Sequence, residues 1–476
     1  MQSTLFITVT IMKNATRLVL LLTIVHTTAV TAQNVDAGRQ LYATNCAGCH
    51  GADLRGGTGS NLVDGVWAFG EDQIVKVIKN GIPERGMPAF GEMLGDDQIQ
   101  SIVAFIEQAE RDPSIVTPAV PDSLVALDYE LKAEVFAHGL RTPWAIEFLD
   151  ETTALITELP GALRVVSNGR ILPDSVKGTP EVIYEGQGGL LDVTADPNYA
   201  ENGWIYLSYS HLLPDGLAMT RIVRGRIRDN AWVDQEVLFE APHDTYLETR
   251  HHYGDRIVFD PSGYLFFSIG DRGHGDMAQD LTRPNGKVHR IHSDGSIPVD
   301  NPFVHVPGAL GSIYSYGHRN PQGMAVDPET GRVWAAEHGP RGGDELNLVA
   351  AGRNYGWQII TYGINYNGSV MTDFRQRAGM EEPITYWRPS IAVSGLDFYE
   401  GDLFADWQGR LLVGALRDKE VRLVHIEDGR VLHQEVILKD AGRVREAKTG
   451  PDGAIYVVLN EPDMVLRLTP SVRHWR

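Results

Sequence analysis

From residue 128 onward, apolar positions come in short alternating runs rather than at intervals of three or four residues. Two such runs flank a turn, and the unit recurs. It is seen in WAIEFLDETTALITELPGALRVV from Trp144, GLLDVTADPNYAENGWIYLSYS from Gly189, RIVFDPSGYLFFSIGD from Arg256 and GMAVDPETGRVWAAEHG from Gly323. Two more copies are GLDFYEGDLFADWQGRLLVGALRDKEVRLV from Gly395 and KTGPDGAIYVVLNEPDMVLRLT from Lys448. Asp-Pro or Pro-Asp near a glycine marks the turn in most of them. The flanking runs are rich in Val, Ile, Leu and aromatics, as strands are. Six strand-turn-strand copies predict an all-β six-bladed propeller. A pair of β-sandwiches is the competing arrangement, and it would not need six equivalent units. In a propeller the loops between units gather at one mouth of a central channel, so functional side chains are expected there.

The first 127 residues read differently. Ile99, Ile102, Val103 and Ile106 fall at helical spacing within Asp97–Glu110, and Asp36–Asn45 predicts a second helix. Lys13 and Arg17 precede an apolar run, Leu18–Val25, and Val30-Thr31-Ala32 supplies small residues before Gln33. That pattern is a secretory signal over residues 1–32, cleaved after Ala32, and it places the mature chain in the periplasm or outside the cell. Met12 is an alternative start. The run is shorter than the roughly 20 residues a membrane span needs, and no later segment reaches that length. Residues 112–127 carry Pro113, Pro118 and Pro121, which favour an extended linker. The expected domains are therefore 33–111 and 128–476.

Both cysteines of the chain lie in CAGCH, Cys46 to His50. Two thiols at this spacing, followed at once by an imidazole, are the pattern of covalent haem c attachment. A redox Cys-x-x-Cys has no need of the histidine, and a structural zinc site needs further ligands. His50 is the expected proximal iron ligand. Met87, in the Gly/Pro-rich GMPAF loop, is the expected distal ligand, with Met93 as its competitor. Residues 33–111 resemble small class I cytochrome c domains, chiefly through CAGCH and GMPAF, which implies an all-α fold.

The formal net charge of −20 argues against nucleic acid or an anionic membrane as partner. It suits attraction of a basic partner such as another cytochrome. Against that acidic background the loops between β units concentrate the opposite chemistry. Gln187, His251, His252, Arg256, Arg319, Asn320, Arg417, Arg443 and Arg445 all fall there. Convergent arginines suit a ligand bearing several carboxylates. HGPRGGDE, with Gly339, Pro340, Asp344 and Glu345, offers backbone carbonyls and carboxylates to a hard cation such as calcium. A histidine beside them is a candidate general base.

Residues 128–476 resemble the soluble quinoprotein glucose/sorbosone dehydrogenases, through GQGGLLD, the H-x-x-x-R of HHYGDR, GHRNPQGMA, HGPRGGDE and NYGW in that order. The resemblance implies a six-bladed propeller with pyrroloquinoline quinone and calcium at one mouth. It implies His252 as the base that takes the anomeric hydroxyl proton, with Arg319 and Asn320 flanking the quinone. Gln187, Arg443 and Arg445 are implied as further quinone contacts. Arg417 stands where relatives often have lysine, with Lys419 two residues on. Gly339 and Pro340 are implied as carbonyl ligands of the quinone-bound calcium, Glu345 and Tyr355 as a second calcium site, and Trp387 as an aromatic wall of the substrate cleft. His251 replaces an Asp or Asn of relatives and is expected to touch substrate, and DRGHGD from Asp271 to shape preference. The expected function is oxidation of an aldose to a lactone, with electrons passing to the fused haem and on to a soluble cytochrome or respiratory oxidase. Alternatives are the same chemistry on another aldehyde or alcohol, a non-catalytic binding propeller beside an independent cytochrome, and a calcium-dependent lactonase, which would need carboxylates rather than arginines at the channel.

Overall fold

The computed structural model describes residues 31–474, apart from 52–53, 55–58, 63–69, 113–114, 117–119 and 122–123. The signal segment expected over residues 1–32 lies, up to residue 30, outside the described residues, as does part of the expected linker, including Pro113 and Pro118.

The turn aspartates explain why the β units repeat. Asp150, Asp260 and Asp327 each accept backbone N–H groups two to four residues on, at 2.7–3.2 Å. A short carboxylate folds the chain back by this local bond, so two apolar runs meet as an antiparallel hairpin. Among the described residues the hairpins build six sheets, five of four strands and one of five. The innermost strands of the ring are Pro143–Phe148, Leu190–Ala195, Ile257–Phe259, Pro321–Val326, Val393–Phe398 and Arg443–Thr449. Neighbouring inner strands pack on one another around the circle.

Each sheet buries both faces, because an apolar cluster fills every gap between neighbouring sheets. Trp144, Leu155 and Leu207 share one cluster, and Tyr206, Leu265 and Phe267 the next. Phe266 and Met324, then Trp334 and Val393, then Tyr399, Val444 and Leu131 continue the series. Ile146 with Val458 completes it. The ring is closed by an N-terminal strand, Tyr129–His138, which pairs with the C-terminal strand, Met464–Arg473. The molecule thus carries the expected six-bladed propeller.

The N-terminal region is helical: α1 (Thr31–Asn45), α2 (Ala47–His50), α3 (Glu71–Asn80) and α4 (Asp96–Arg111). The stripe on α4 is buried as predicted and also includes Phe105 and Ala109. Gly38 permits the close crossing of α1 and α4, because a Cβ there would lie 1.9 Å from the Ser101 carbonyl oxygen. Tyr42 packs on Phe105 with ring centroids 5.5 Å apart. No helix among the described residues is long and apolar enough to cross a membrane.

Candidate active site and haem site

The haem motif forms one short helical turn. Cys46 caps α2, while Cys49 and His50 lie within it. The His50 Nδ1 donates to the carbonyl of Ser60 at 2.7 Å. That bond fixes the tautomer and leaves Nε2 for a metal. A Cβ on Gly59 would stand 2.9 Å from two atoms of this ring, so glycine keeps the imidazole seated. Burial and the neighbouring Cys49 push the Cys46 thiol up to about 11. Met87 packs against the same apolar cluster as Cys46 and Ala47, with its backbone paired to Ile82. Met93 is 63% exposed. These residues fit a covalently held haem, and the geometry favours Met87 over Met93.

At the propeller mouth His252 is the focus. Its backbone sits at φ +55°, a left-handed conformation rare for a side chain of this size. Three contacts hold it there. Its N–H donates to Oε1 of Gln187 at 2.8 Å, and Nδ1 donates to Oδ1 of Asp271 at 2.6 Å. Gly270 must lack a side chain, since a Cβ would lie 2.3 Å from the His252 carbonyl oxygen. Asp271 is itself fixed by the Gly273 N–H at 2.8 Å and by the Trp357 indole N–H at 2.6 Å. Burial raises the Asp271 pKa, but His252 and Arg319 outweigh it and hold the carboxyl below its usual range. Burial lowers the His252 pKa, and Asp271 only partly offsets this. The imidazole is therefore neutral at pH 7, with its proton on Nδ1 and a basic lone pair on Nε2. His251 packs edge-on against it at 4.8 Å between centroids and is exposed.

The expected Asp271–Asp276 loop does more than line a cleft. Asp271 is the partner of the candidate base, which local pattern reading did not anticipate. Its partners lie 19 and 86 residues away in the chain.

The arginines converge around His338. Burial first, then Arg319, His252, Arg445 and Arg443, bring its pKa down to about 3. Their hydrogen bonds go to neutral acceptors. Arg319 donates to the His338 carbonyl at 3.1 Å and Arg445 to Asn460 at 2.7 Å. The Nε of Arg319 is buried without a partner. Burial, then Arg443 and Arg256, pull the Arg445 guanidinium down to about 10. Concentrated positive charge with an orphaned donor fits an anionic ligand such as a tricarboxylate quinone. Asn320 accepts the Gly254 N–H at 3.0 Å and so braces the His252 loop. Arg417 is exposed on the rim, donating to the Ser390 carbonyl at 2.6 Å.

Arg256, four residues after His252, lies in the channel rather than at the mouth. It pairs with Asp192 at 2.9 Å and Glu446 at 2.8 Å, and stacks over Trp144. It joins three blades and supports the site from below.

For a cation, the Gly339–Gly343 turn is pinned by Asp344, which accepts the Gly339 and Ala392 N–H groups at 2.9 and 2.6 Å. Ser390 donates to the Pro340 carbonyl at 3.3 Å. Among the described residues no group of three or more His, Cys, Asp or Glu has metal-holding geometry. A cation here would take mainly carbonyl oxygens, which suits calcium. Glu345 lines a small cavity with Tyr355, and burial together with Glu337 raises its carboxyl well above the usual range. The Tyr355 hydroxyl is committed to the Leu348 carbonyl, leaving its backbone as the part that a cation would meet.

Trp387 departs from expectation. It is 6% exposed within an inter-blade cluster, and its indole N–H donates to Gln434 at 3.1 Å. Its ring is core packing and offers no face to a cleft. Tyr366, 72% exposed with its hydroxyl 3.5 Å from Arg319, is the aromatic at the mouth.

Comparison with known proteins gives the chain's family. The glucose/sorbosone dehydrogenase family model matches residues 140–467, and the model for cytochrome c oxidase, cbb3-type, subunit III matches residues 33–106. The chain is 42% identical over 353 residues to the aldose sugar dehydrogenase YliI of Escherichia coli, covering 73% of this chain and 95% of that protein. The crystal structure of the soluble aldose sugar dehydrogenase from Escherichia coli in the apo-form superimposes with a TM-score of 0.69 at 42% identity, over 71% of this chain and 99% of that one. Quinoprotein glucose dehydrogenase B of Acinetobacter calcoaceticus is 33% identical over 221 residues, 40% of this chain and 45% of that protein.

Proposed function

The chain belongs to the glucose/sorbosone dehydrogenase family, carries a cytochrome c domain ahead of it, and on that premise we propose a quinohaemoprotein that oxidises an aldose to its lactone. The observation that carries this reading is His252, oriented by Asp271 at 2.6 Å, beside arginines whose charge no bonded carboxylate answers.

In this reading Arg319, Arg443, Arg445, Asn320 and Gln187 would hold pyrroloquinoline quinone, and the carbonyls of Gly339 and Pro340 would hold a calcium ion. Bound there, the pair would supply a two-electron acceptor for the anomeric hydride and Lewis-acid polarisation of it. His252 takes the proton of the anomeric hydroxyl on Nε2. Asp271 steadies the imidazolium that forms, as a carboxylate partner does for a catalytic histidine. Arg319 keeps positive charge against the reacting oxygens. His251 and Tyr366 bound the sugar from the solvent side. Cys46 and Cys49 would hold a haem covalently, with His50 and Met87 as the residues offered to its iron, and that group would supply one-electron transfer to an external cytochrome or oxidase. Tethering raises the acceptor's effective concentration without a binding interface. Export, with the signal ending at Ala32, suits a covalent haem.

Anaerobic mixing of the calcium- and quinone-loaded full chain with a panel of aldoses, while the haem spectrum is followed, tests this. Haem reduction by an aldose supports the reading. Reduction by none of them, with the cofactor shown to be bound, refutes it.

A further inference from the structure

Arg272 is wholly buried, and among the described residues no carboxylate is bonded to it. A buried guanidinium is costly unless its donors are matched. Here main-chain carbonyls match them. Nε donates to the His251 carbonyl and Nη1 to the Ala218 carbonyl, each at 2.9 Å, and Nη2 donates to the Thr249 carbonyl. The guanidinium lies over the Tyr253 ring, 3.7 Å from its centroid. In the other direction the Thr249 hydroxyl donates to the carbonyl of Arg272 itself at 2.7 Å. Asp255 bears on the guanidinium through space, but burial holds that carboxyl well above the usual range. One residue thus clasps the segment on both sides of His252, from Thr249 to Tyr253, and ties it to the strand Ala218–Arg228 of the neighbouring blade.

Asp271, one residue earlier, holds the His252 ring at Nδ1. The chain then turns through φ +56° at Arg272 and +80° at Gly273, so two consecutive side chains reach the same loop from different directions. A Cβ on Gly273 would stand 2.3 Å from Nε2 of His251, so the turn seats that ring as well. His252 needs such a hold, because its own backbone is left-handed at φ +55°. A lysine meets carbonyls differently. The ammonium of Lys287 gathers those of Met277, Ala278 and Asn285 at one point, 2.5–3.0 Å away. The carbonyls of Ala218, Thr249 and His251 are each met by a different nitrogen of a planar fork.

We propose that Arg272 is a positioning residue for His252: its guanidinium fixes the main chain on both sides of the imidazole, as Asp271 fixes the ring, and so aims Nε2 into the mouth. The proposal rests on the reading of His252 as the base. Without the fork the loop relaxes toward ordinary backbone angles, Nδ1 draws away from Asp271, and its proton is no longer held. A misplacement of about 1 Å at a reacting group costs about 10²-fold in rate.

The test uses full chains of the parent, Arg272→Lys, Arg272→Gln, His252→Ala and the double variant Arg272→Gln with His252→Ala, with melting curves to check folding. In quinone-free protein the proton NMR resonance of His252 Nδ1–H, assigned by its loss in His252→Ala, should lie far downfield in the parent and vanish in both Arg272 variants. With calcium and quinone loaded and occupancy checked, quinone reduction by sugar should slow by about 10²-fold in Arg272→Gln at unchanged KM. Arg272→Lys should share the loss, because it keeps the charge but not the fork. In the His252→Ala background the change at Arg272 should cost nothing further, since a positioning residue acts only through what it positions. An unmoved Nδ1 resonance in both variants overturns the proposal, as does a full further loss in the double variant, which a merely structural role would produce. Full activity in Arg272→Lys also overturns it, since charge alone would then suffice. If Arg272→Gln does not fold, Arg272→Lys carries both readouts and the double variant. Undiminished reduction in His252→Ala overturns the base reading and this proposal with it, and that result is recognised from the single variant alone.

Discussion

The Nδ1 proton of His252 is held by Asp271 across 2.6 Å, and this pairing sets which nitrogen of the imidazole is basic. His252→Ala should lower quinone reduction by sugar by about 10² to 10⁴, the usual contribution of a general base. Asp271→Asn should also lower it by about 10² or more, since an amide does not enforce the tautomer. His251→Ala should raise KM more than it lowers kcat. Stopped-flow measurement of quinone reduction, with cofactor occupancy checked, separates the three. A larger effect of His251→Ala on the hydride step would move the base by one residue.

The pH profile follows from the same pair. Burial holds His252 below its ordinary 6.5, so the active neutral form persists as pH falls to that point. The acid limb of kcat/KM should therefore lie below pH 6.5. Asp271 is an influence that raises the His252 pKa, so Asp271→Asn should move the limb still lower while the plateau drops. A limb that moves upward in that variant would show another group in control.

For the haem, Met87→Ala should leave covalent attachment intact on denaturing gels but open the iron to small external ligands. A low-spin spectrum indistinguishable from the parent would transfer the distal role to Met93, against its exposure.

Arg443 and Arg445 repel one another at a buried site. Arg443→Gln should raise the melting temperature of the quinone-free chain while weakening quinone binding by about 10- to 100-fold, the range for a lost charged hydrogen bond. Chelation of calcium should likewise abolish activity, and NAD should not restore it. Melting curves and quinone titrations check the variant, and a dehydrogenase assay on the same preparation checks the effect of chelation and of NAD.

At the opposite end of the channel, burial raises the Asp397 carboxyl to about 7, although Lys448 and Thr449 oppose the shift. Because the folded value lies above the unfolded one, the stability tied to its proton is complete in acid and is lost as pH rises through 7. Asp397→Asn should flatten the fall of melting temperature between pH 4 and 7. An unaltered slope would assign that fall to other groups.

The propeller was legible in the sequence because most of its first hairpins carry a local signal of their own, an aspartate that bonds N–H groups two to four residues ahead. CAGCH and the α4 stripe were legible for the same reason, their meaning being contained in a few adjacent residues. The Asp271–His252 pairing was not, since the two residues come from separate loops and the chain between carries no periodic trace of the contact. Trp387 shows the converse: an aromatic in a family motif reads the same whether its ring faces a cleft or, as here, Gln434 and the core.

Ring closure by Tyr129–His138 on Met464–Arg473 has a consequence for how such a chain is assembled from parts. The seam falls just after the joint between the two domains, so a helical module can be gained or lost ahead of it without opening the circle. Asp128 marks where that freedom ends, for its carboxylate accepts from Trp407 at 3.1 Å and from Arg410 at 3.2 Å. A gene cut upstream of residue 124, before the small strand Leu124–Val125, would yield a closed propeller without its cytochrome c domain. A cut a few codons later would leave the final blade unlatched.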